Sequence, residues 1–232
     1  MQLFFAENIE SDIYTLDENE SKHCIRVLRM GVDDEISVTD GCGTLCRCRI
    51  VDDNPKSCTV AVIERMHDYG KRNFRLHIAV APTKNTARLE WFVEKAIELG
   101  VDIITPIICD HSERSVLKTE RLEKIALSAM KQSLKAYMPT LNPPTPLADL
   151  IAQPFDGQRF IAYCDGDHRT PLRQAYTPGS DALILIGPEG DFSPDEVTAA
   201  LSAGFVPVTL GPCRLRTETA ALAAAAFLNL SN

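Results

Sequence analysis

The residues whose types and spacing suggest chemistry lie near the end of the chain, in two glycine turns that each follow a short apolar run and precede a helical pattern. The first reads Ala182-Leu-Ile-Leu-Ile-Gly-Pro-Glu-Gly-Asp-Phe-Ser-Pro-Asp-Glu196, and the second reads Val208-Thr-Leu-Gly-Pro-Cys-Arg-Leu-Arg-Thr-Glu-Thr-Ala-Ala221. Without a Cβ, Gly187, Gly190 and Gly211 can take strained turns and let a ligand approach the backbone closely. Apolar runs bounded by glycine read as buried parallel strands, whose carboxyl ends open into ligand crevices. Two such ends could form one pocket. The same pattern also describes ordinary strand-to-helix turns that bind nothing.

Helices must hold these turns in place. Ser193-Pro-Asp-Glu196 is a capping box, with the Ser193 hydroxyl accepting from the Glu196 amide and Glu196 reaching back. Thr217 is expected to cap the second helix similarly, ahead of the strong helix-forming run Ala220 to Leu230. Upstream, Leu76 to Ala81 reads as a strand. A stripe of Leu89, Phe92, Val93, Ala96 and Ile97 follows at helical spacing, closed by Gly100. Ile103 to Ile108 is the next strand, and Pro106 places it at an edge or puts the proline near its end. A charged helix from Thr119 to Tyr137, a proline-rich connector from Pro139 to Pro146 and a strand from Arg159 to Cys164, ending in Asp165-Gly166, complete the pattern. Strands alternating with helices predict an α/β domain over residues 73–232.

Residues 1–72 are β-rich instead. Strands are expected at Leu3 to Ala6, Glu35 to Thr39, Thr44 to Val51 and Ser57 to Arg65, with a helix over Asn19 to Met30, and together they predict a small barrel. Met66 to Asn73 is the candidate linker.

The chain has 232 residues and a net charge of −8, which argues against indiscriminate coating of nucleic acid. It shows neither a signal-peptide pattern nor an apolar run long enough to span a membrane, so the expected location is the cytoplasm. The eight cysteines are expected as reduced thiols. Zinc on Cys42, Cys46, Cys48 and Cys58 is the sharper alternative, but the spacing lacks zinc knuckles. Strand alternation instead puts Cys46, Cys48 and Ile50 on one face, and Arg47 and Arg49 on the other. A dinucleotide fingerprint and a phosphate-cradling loop are both absent, which argues against a nicotinamide oxidoreductase.

Ile186-Gly-Pro-Glu-Gly190 with Leu210-Gly-Pro-Cys-Arg-Leu-Arg-Thr-Glu-Thr-Ala220 resembles the paired signature of the RsmE family, the 16S ribosomal RNA uridine-N3 methyltransferases of the SPOUT superfamily. Further likenesses are His23-Cys-Ile-Arg-Val-Leu-Arg-Met-Gly31, Lys84 with Glu94 to Gly100, Ser112 to Ser115, and Gln132 to Pro139. Departures are Lys135 for a common arginine, Asp191 for a common third glycine and Arg214 for a common isoleucine.

The resemblance implies an N-terminal PUA-like barrel and a SPOUT-type knotted methyltransferase domain, in which a deep trefoil knot holds S-adenosylmethionine at a homodimer interface. It implies cofactor contacts from Ile186, Gly187, Pro188, Glu189, Gly190, Leu210, Gly211, Leu215, Arg216, Thr217, Thr219 and Ala220. Arg216 is the first candidate for a catalytic donor to the uracil oxygens or for a grip on a neighbouring phosphate, with a structural ion pair to Glu218 or Glu189 as the alternative, and Glu218 is a candidate base. RNA contacts are expected from His23, Arg26, Arg29, Arg47, Arg49, Lys84 and Lys135, and the partner is 16S rRNA in the small ribosomal subunit. No metal is expected. The alternatives are methylation of another RNA position or a ribose 2′-oxygen, and a noncatalytic RNA-binding assembly protein.

Overall fold

The computed structural model describes residues 2–7, 9–164 and 169–232, so the expected Asp165-Gly166 strand end lies outside the described residues. The chain forms two compact units: Met1–Lys71 with Met130–Met138, and Arg72–Ala129 with Pro139–Asn232.

In the first unit, β1 (Leu3–Phe5), β2 (Ile13–Thr15), β3 (Glu35–Thr39), β4 (Leu45–Asp52) and β5 (Thr59–Met66) form one sheet in the order β1-β3-β4-β5-β2. The β1–β3 pair is parallel and the other pairs are antiparallel. Among the described residues no ladder joins β1 to β2, so the expected barrel is a half-barrel. The alternation in β4 is as the sequence predicts: Cys46, Cys48 and Ile50 are buried, while Arg47 and Arg49 are exposed. The strand β2 has no counterpart among the expected strands.

The helix expected over Asn19 to Met30 is interrupted. An α-helix, α1 (Glu18–Lys22), capped by the Asp17 side chain, passes into a π-helical turn over His23–Val27. Arg29 then takes the left-handed φ of 58°, which ends the helix.

In the second unit, β6 (Leu76–Val80), α2 (Thr86–Glu98) and β7 (Ile103–Ile108) are followed by α3 (Thr119–Gln132). Next come β8 (Thr140–Leu141), β9 (Thr145–Pro146), α4 (Leu147–Ile151), β10 (Gln158–Ala162), β11 (Thr170–Pro171) and α5 (Leu172–Ala175). The unit closes with β12 (Ala182–Ile186), α6 (Pro194–Ser202), β13 (Val206–Thr209) and α7 (Thr217–Leu230). The sheet is parallel, in the order β11-β13-β10-β12-β6-β7-β8, with β9 also on β7. The strands β6 and β12 are buried along their whole length, which is why they read as near-continuous apolar runs, broken only by His77, rather than alternating ones. All five stripe residues of α2, from Leu89 to Ile97, face the interior.

Two expectations about this region are corrected. Pro106 is neither at an edge nor at a strand end: it lies opposite Val80 inside β7. Its missing N–H is accommodated because β8 pairs with Ile103 and Ile104 and β9 with Ile107 and Ile108, leaving a gap between them. The helix expected to reach Tyr137 stops at Gln132, and Leu134 takes a φ of 56°. The residues beyond it exchange backbone hydrogen bonds with a turn of the first unit, Gly43 N–H to Ala136 O at 2.8 Å and Met138 N–H to Gly41 O at 2.7 Å. Lys131 is ion-paired there with Glu20, at 2.5 Å. Residues 130–138, inside the expected second domain, therefore pack in the first unit.

Candidate functional site

The parallel sheet places the carboxyl ends of β10, β12 and β13 side by side, and the loops leaving them line one cleft of about 1180 Å³. Its walls include Ile186 to Asp191 from the first glycine turn and Leu210 to Thr217 from the second. The two turns are tied directly, because the buried Thr217 hydroxyl donates to Gly187 O at 3.0 Å. This overturns the expectation that Thr217 caps α7. The N-cap is Arg216, which makes no side-chain cap, and the Thr217 hydroxyl goes to the neighbouring turn instead.

The first turn is held from three sides. Glu189 Oε1 accepts from the Lys84 N–H at 3.0 Å, in the loop after β6. His111 Nδ1, in the loop after β7, lies 3.1 Å from Gly190 O and 2.9 Å from Asp191 O; facing two carbonyls, it must carry the proton. Asp191 Oδ2 accepts from Cys164 N–H at 2.7 Å, in the loop after β10. A Cβ at Gly187 would stand 3.1 Å from Phe192, and one at Gly190 would stand 3.0 Å from the His111 Cβ, so a side chain at either position would force its neighbour to shift by a few tenths of an ångström. Asp191 itself takes the left-handed φ of 63°, which aspartate tolerates better than most residues. The loop shape therefore survives the absence of a third glycine. The capping box forms as the sequence predicts, with Ser193 N–H to Glu196 Oε2 at 2.8 Å and Glu196 N–H to Ser193 Oγ at 3.3 Å.

Gly211 has a φ of 141°, open to few other residues, and nothing lies within 4 Å of where its Cβ would be. The second turn therefore offers bare backbone to a ligand. Leu210, Leu215, Ala220 and Phe227 add apolar wall, and Arg216 is exposed on the same cleft. Among the described residues Arg216 has no ion pair, so neither Glu189 nor Glu218 neutralises it. Burial, and then Asp191, push the Cys164 thiol up, so it faces the cleft in its neutral form.

Two expected residues stand apart from this wall. Thr219 is exposed but does not line the cleft. Glu218 is buried against α2, with Oε1 3.7 Å from Arg88 Nε and Oε2 without a hydrogen-bond partner. Thr209, Arg169, Arg173, Ala223 and Phe227 line the cleft without having been expected. Only the parallel pairing of β11 with β13 brings the 169–173 segment there.

The expected RNA contacts differ in state. His23, Arg26 and Arg29 are exposed on the first unit, with the His23 ring tilted against Phe4. Arg47 pairs with Glu35 at 3.2 Å and Glu64 at 3.4 Å, and Arg49 with Glu35 at 3.6 Å, so both are largely neutralised on the sheet face. In the second unit Lys84 reaches Glu113 at 2.7 Å, which holds its ammonium above the usual lysine range. Lys135 is half-buried in the segment that packs with the first unit.

Residues 70–229 match a family described as an RNA methyltransferase domain, and residues 16–63 match an RNA methyltransferase PUA domain. The chain is 30% identical to the ribosomal RNA small subunit methyltransferase E of Aquifex aeolicus, over 98% of this chain and 99% of the relative. A probable rRNA methyltransferase from Porphyromonas gingivalis superposes with a TM-score of 0.92 at 46% identity, covering 99% of this chain and 98% of that one. The small subunit methyltransferase E of Neisseria gonorrhoeae, solved with S-adenosyl methionine bound, superposes at 0.87 with 26% identity, over 99% and 97% of the two chains.

Proposed function

We propose that this chain, which belongs to the ribosomal RNA small subunit methyltransferase E family, methylates N3 of one specific uridine in the 16S RNA of the small ribosomal subunit. It is an RNA methyltransferase and its methyl donor is S-adenosylmethionine. The observation that carries the reading is the joining of the two glycine turns by the Thr217 to Gly187 hydrogen bond around one cleft.

The cleft suits the cofactor. Bare backbone at Gly211 admits close approach, and Leu210, Leu215 and Phe227 supply the apolar surface that an adenine ring needs. Main-chain groups of Gly187 to Gly190 and of Leu210 to Leu215 hold the adenosyl part, and Thr217 keeps the two turns in register. When bound, the cofactor supplies a methyl group on a sulfonium centre, which an in-line nucleophile attacks.

The protein's task is mainly positioning and electrostatics. Uracil N3 lies between two carbonyls, and loss of its proton spreads negative charge onto both oxygens. Arg216, exposed on the cleft and without a carboxylate partner among the described residues, supplies donors for that charge. Glu218 is engaged by Arg88 away from the cleft wall, so the N3 proton leaves to water. On the first unit Arg26 and Arg29, which have no ion pair among the described residues, are better phosphate ligands than Arg47 and Arg49.

Two inherited features belong to the same reading. The chain passes from β12 through α6 to β13, beyond β10, then returns so that α7 packs on β12 and β6, which supports a trefoil crossing there. The partly open apolar residues of α7, from Leu222 to the 81% exposed Leu230, support a homodimer. No described helix is long and apolar enough to cross a membrane.

The test is transfer of labelled methyl to small subunits lacking their modifications, with the product mapped by nuclease digestion and mass spectrometry. Methyl at N3 of a single uridine, reduced at least a hundredfold in kcat by Arg216→Ala, is the expected result, about the loss on removing one transition-state donor. Methyl at another atom keeps the enzyme and refutes the substrate; absence of cofactor binding refutes the reading.

A further inference from the structure

Four arginines, Arg169, Arg173, Arg214 and Arg216, line the same cleft as the glycine turns. They come from two sequence segments that the sheet joins: Thr170 pairs with Val208 and Pro171 with Thr209, in parallel register. Arg173, just past β11, and Arg214, in the loop after β13, therefore emerge at the same carboxyl edge. Arg169 is anchored by a 2.7 Å hydrogen bond from Nη1 to Tyr163 O. Arg173, Arg214 and Arg216 are exposed and, among the described residues, none has a carboxylate partner. The two carboxylates of the cleft wall are both occupied by backbone donors, Glu189 by Lys84 N–H and Asp191 by the N–H groups of Cys164 and Phe192.

Three guanidinium groups, Arg173, Arg214 and Arg216, with no carboxylate partner among the described residues are a local excess of positive charge in a chain of net charge −8. The cofactor does not account for it, because S-adenosylmethionine has one carboxylate beside an ammonium and a sulfonium and is cationic overall. The space is also generous: about 1180 Å³ exceeds the roughly 300–1,000 Å³ of a typical small-molecule site. What remains to be matched is a second, anionic ligand. Guanidinium is the group best suited to phosphate, through paired N–H donors.

We propose that Arg173 and Arg214, with Arg169 and Arg216 beside them, form a phosphate-gripping rim of the cofactor cleft that takes the RNA backbone flanking the target nucleotide. The inference rests on the methyltransferase reading and adds to it a second RNA-holding surface, separate from the arginines of the first unit.

The experiment compares the full-length protein with the double variant Arg173→Gln/Arg214→Gln. Two quantities are read: the dissociation constant for S-adenosylmethionine alone, and kcat/KM for methyl transfer to unmodified small ribosomal subunits from about 50 to 200 mM KCl. Phosphate contacts release counterions, and each contributes about 0.7 to the slope of log affinity against log salt for single-stranded nucleic acid. The double variant is expected to keep its cofactor affinity, to lose about tenfold in kcat/KM at low salt, and to show a slope shallower by about 1.4. Arg173→Lys/Arg214→Lys, which retains the charge, should recover most of the slope. An unchanged salt slope in the glutamine variant overturns the proposal, as does a parallel loss of cofactor affinity, which would assign the arginines to the cofactor carboxylate. A parent protein that binds no cofactor and transfers no methyl refutes the methyltransferase reading itself, and the rim with it.

Discussion

Replacing Thr217 by valine tests whether the two glycine turns act as one unit. Valine keeps the branched shape and removes only the hydroxyl that donates to Gly187 O at 3.0 Å. Thr217 is 5% exposed and Gly187 is also buried, so water cannot readily replace the lost donor. Leaving a buried carbonyl unsatisfied costs about 1–3 kcal/mol. For a domain of this size, 2 kcal/mol corresponds to a fall in Tm of roughly 4–8 °C. The same bond holds the second turn in register with the first, so cofactor affinity should fall too. If about 1.4 kcal/mol of the loss appears in binding, Kd rises about tenfold. Thermal unfolding of the cofactor-free protein gives the first number, and titration calorimetry with S-adenosylmethionine gives the second. Trp91, on α2 of the same unit, is the single tryptophan, so its fluorescence assigns the transition to that unit. Thr217→Ser, which retains the hydroxyl, should lie close to the parent. If Thr217→Val leaves both stability and Kd within about 0.5 kcal/mol of the parent, the tie is not what organises the cleft.

Other expected outcomes are narrower. His77 on β6 is buried, with Nε2 2.7 Å from Thr105 Oγ1, and burial pushes its pKa down to about 4 from 6.5. The unfolded chain therefore takes up a proton first as pH falls, and stability is lost from about pH 6.5 down to about pH 4, by an amount on the order of 3 kcal/mol. Denaturant titrations across that window should show a shallower dependence for His77→Gln; an identical dependence rules His77 out as its source. Ser193→Ala removes both the cap of α6 and the 2.6 Å bond to Asp110 Oδ2, and should cost about 1 kcal/mol or somewhat more in chemical denaturation. Asp191→Ala keeps the left-handed backbone, which alanine tolerates less well, and also loses the acceptors of two N–H groups, so the two effects together should destabilise by about 1–3 kcal/mol. Asp191→Asn, with an acceptor and a better tolerance of that φ, should be milder in the same melts, and an order reversed between the two would refute this account.

Much of the molecule is local in origin, and that part is readable from the sequence. The alternation Cys46-Arg47-Cys48-Arg49-Ile50 separates buried from exposed side chains because a strand's period is two. The α2 stripe is buried because residues three and four apart share a helix face. The capping box forms because Ser193 and Glu196 need only each other. The two glycine turns are likewise visible as turns, and their order in the chain implies a shared end of a parallel sheet.

What tertiary structure decided is where polar groups found partners far away in sequence. The Thr217 hydroxyl was free to cap its own helix and went to Gly187 O, because packing brought that buried carbonyl within reach. Residues 136 and 138 left the expected helix because their backbone groups pair with Gly41 and Gly43, across about a hundred residues of chain. His111 is an unremarkable residue in a loop until the fold sets two carbonyls of the first turn in front of Nδ1. Arg173 becomes a neighbour of Arg214 only when β11 takes its place beside β13. Periodicity and capping record interactions within one element, whereas the ladder order that assembles the cleft depends on crossovers, and no local pattern encodes those.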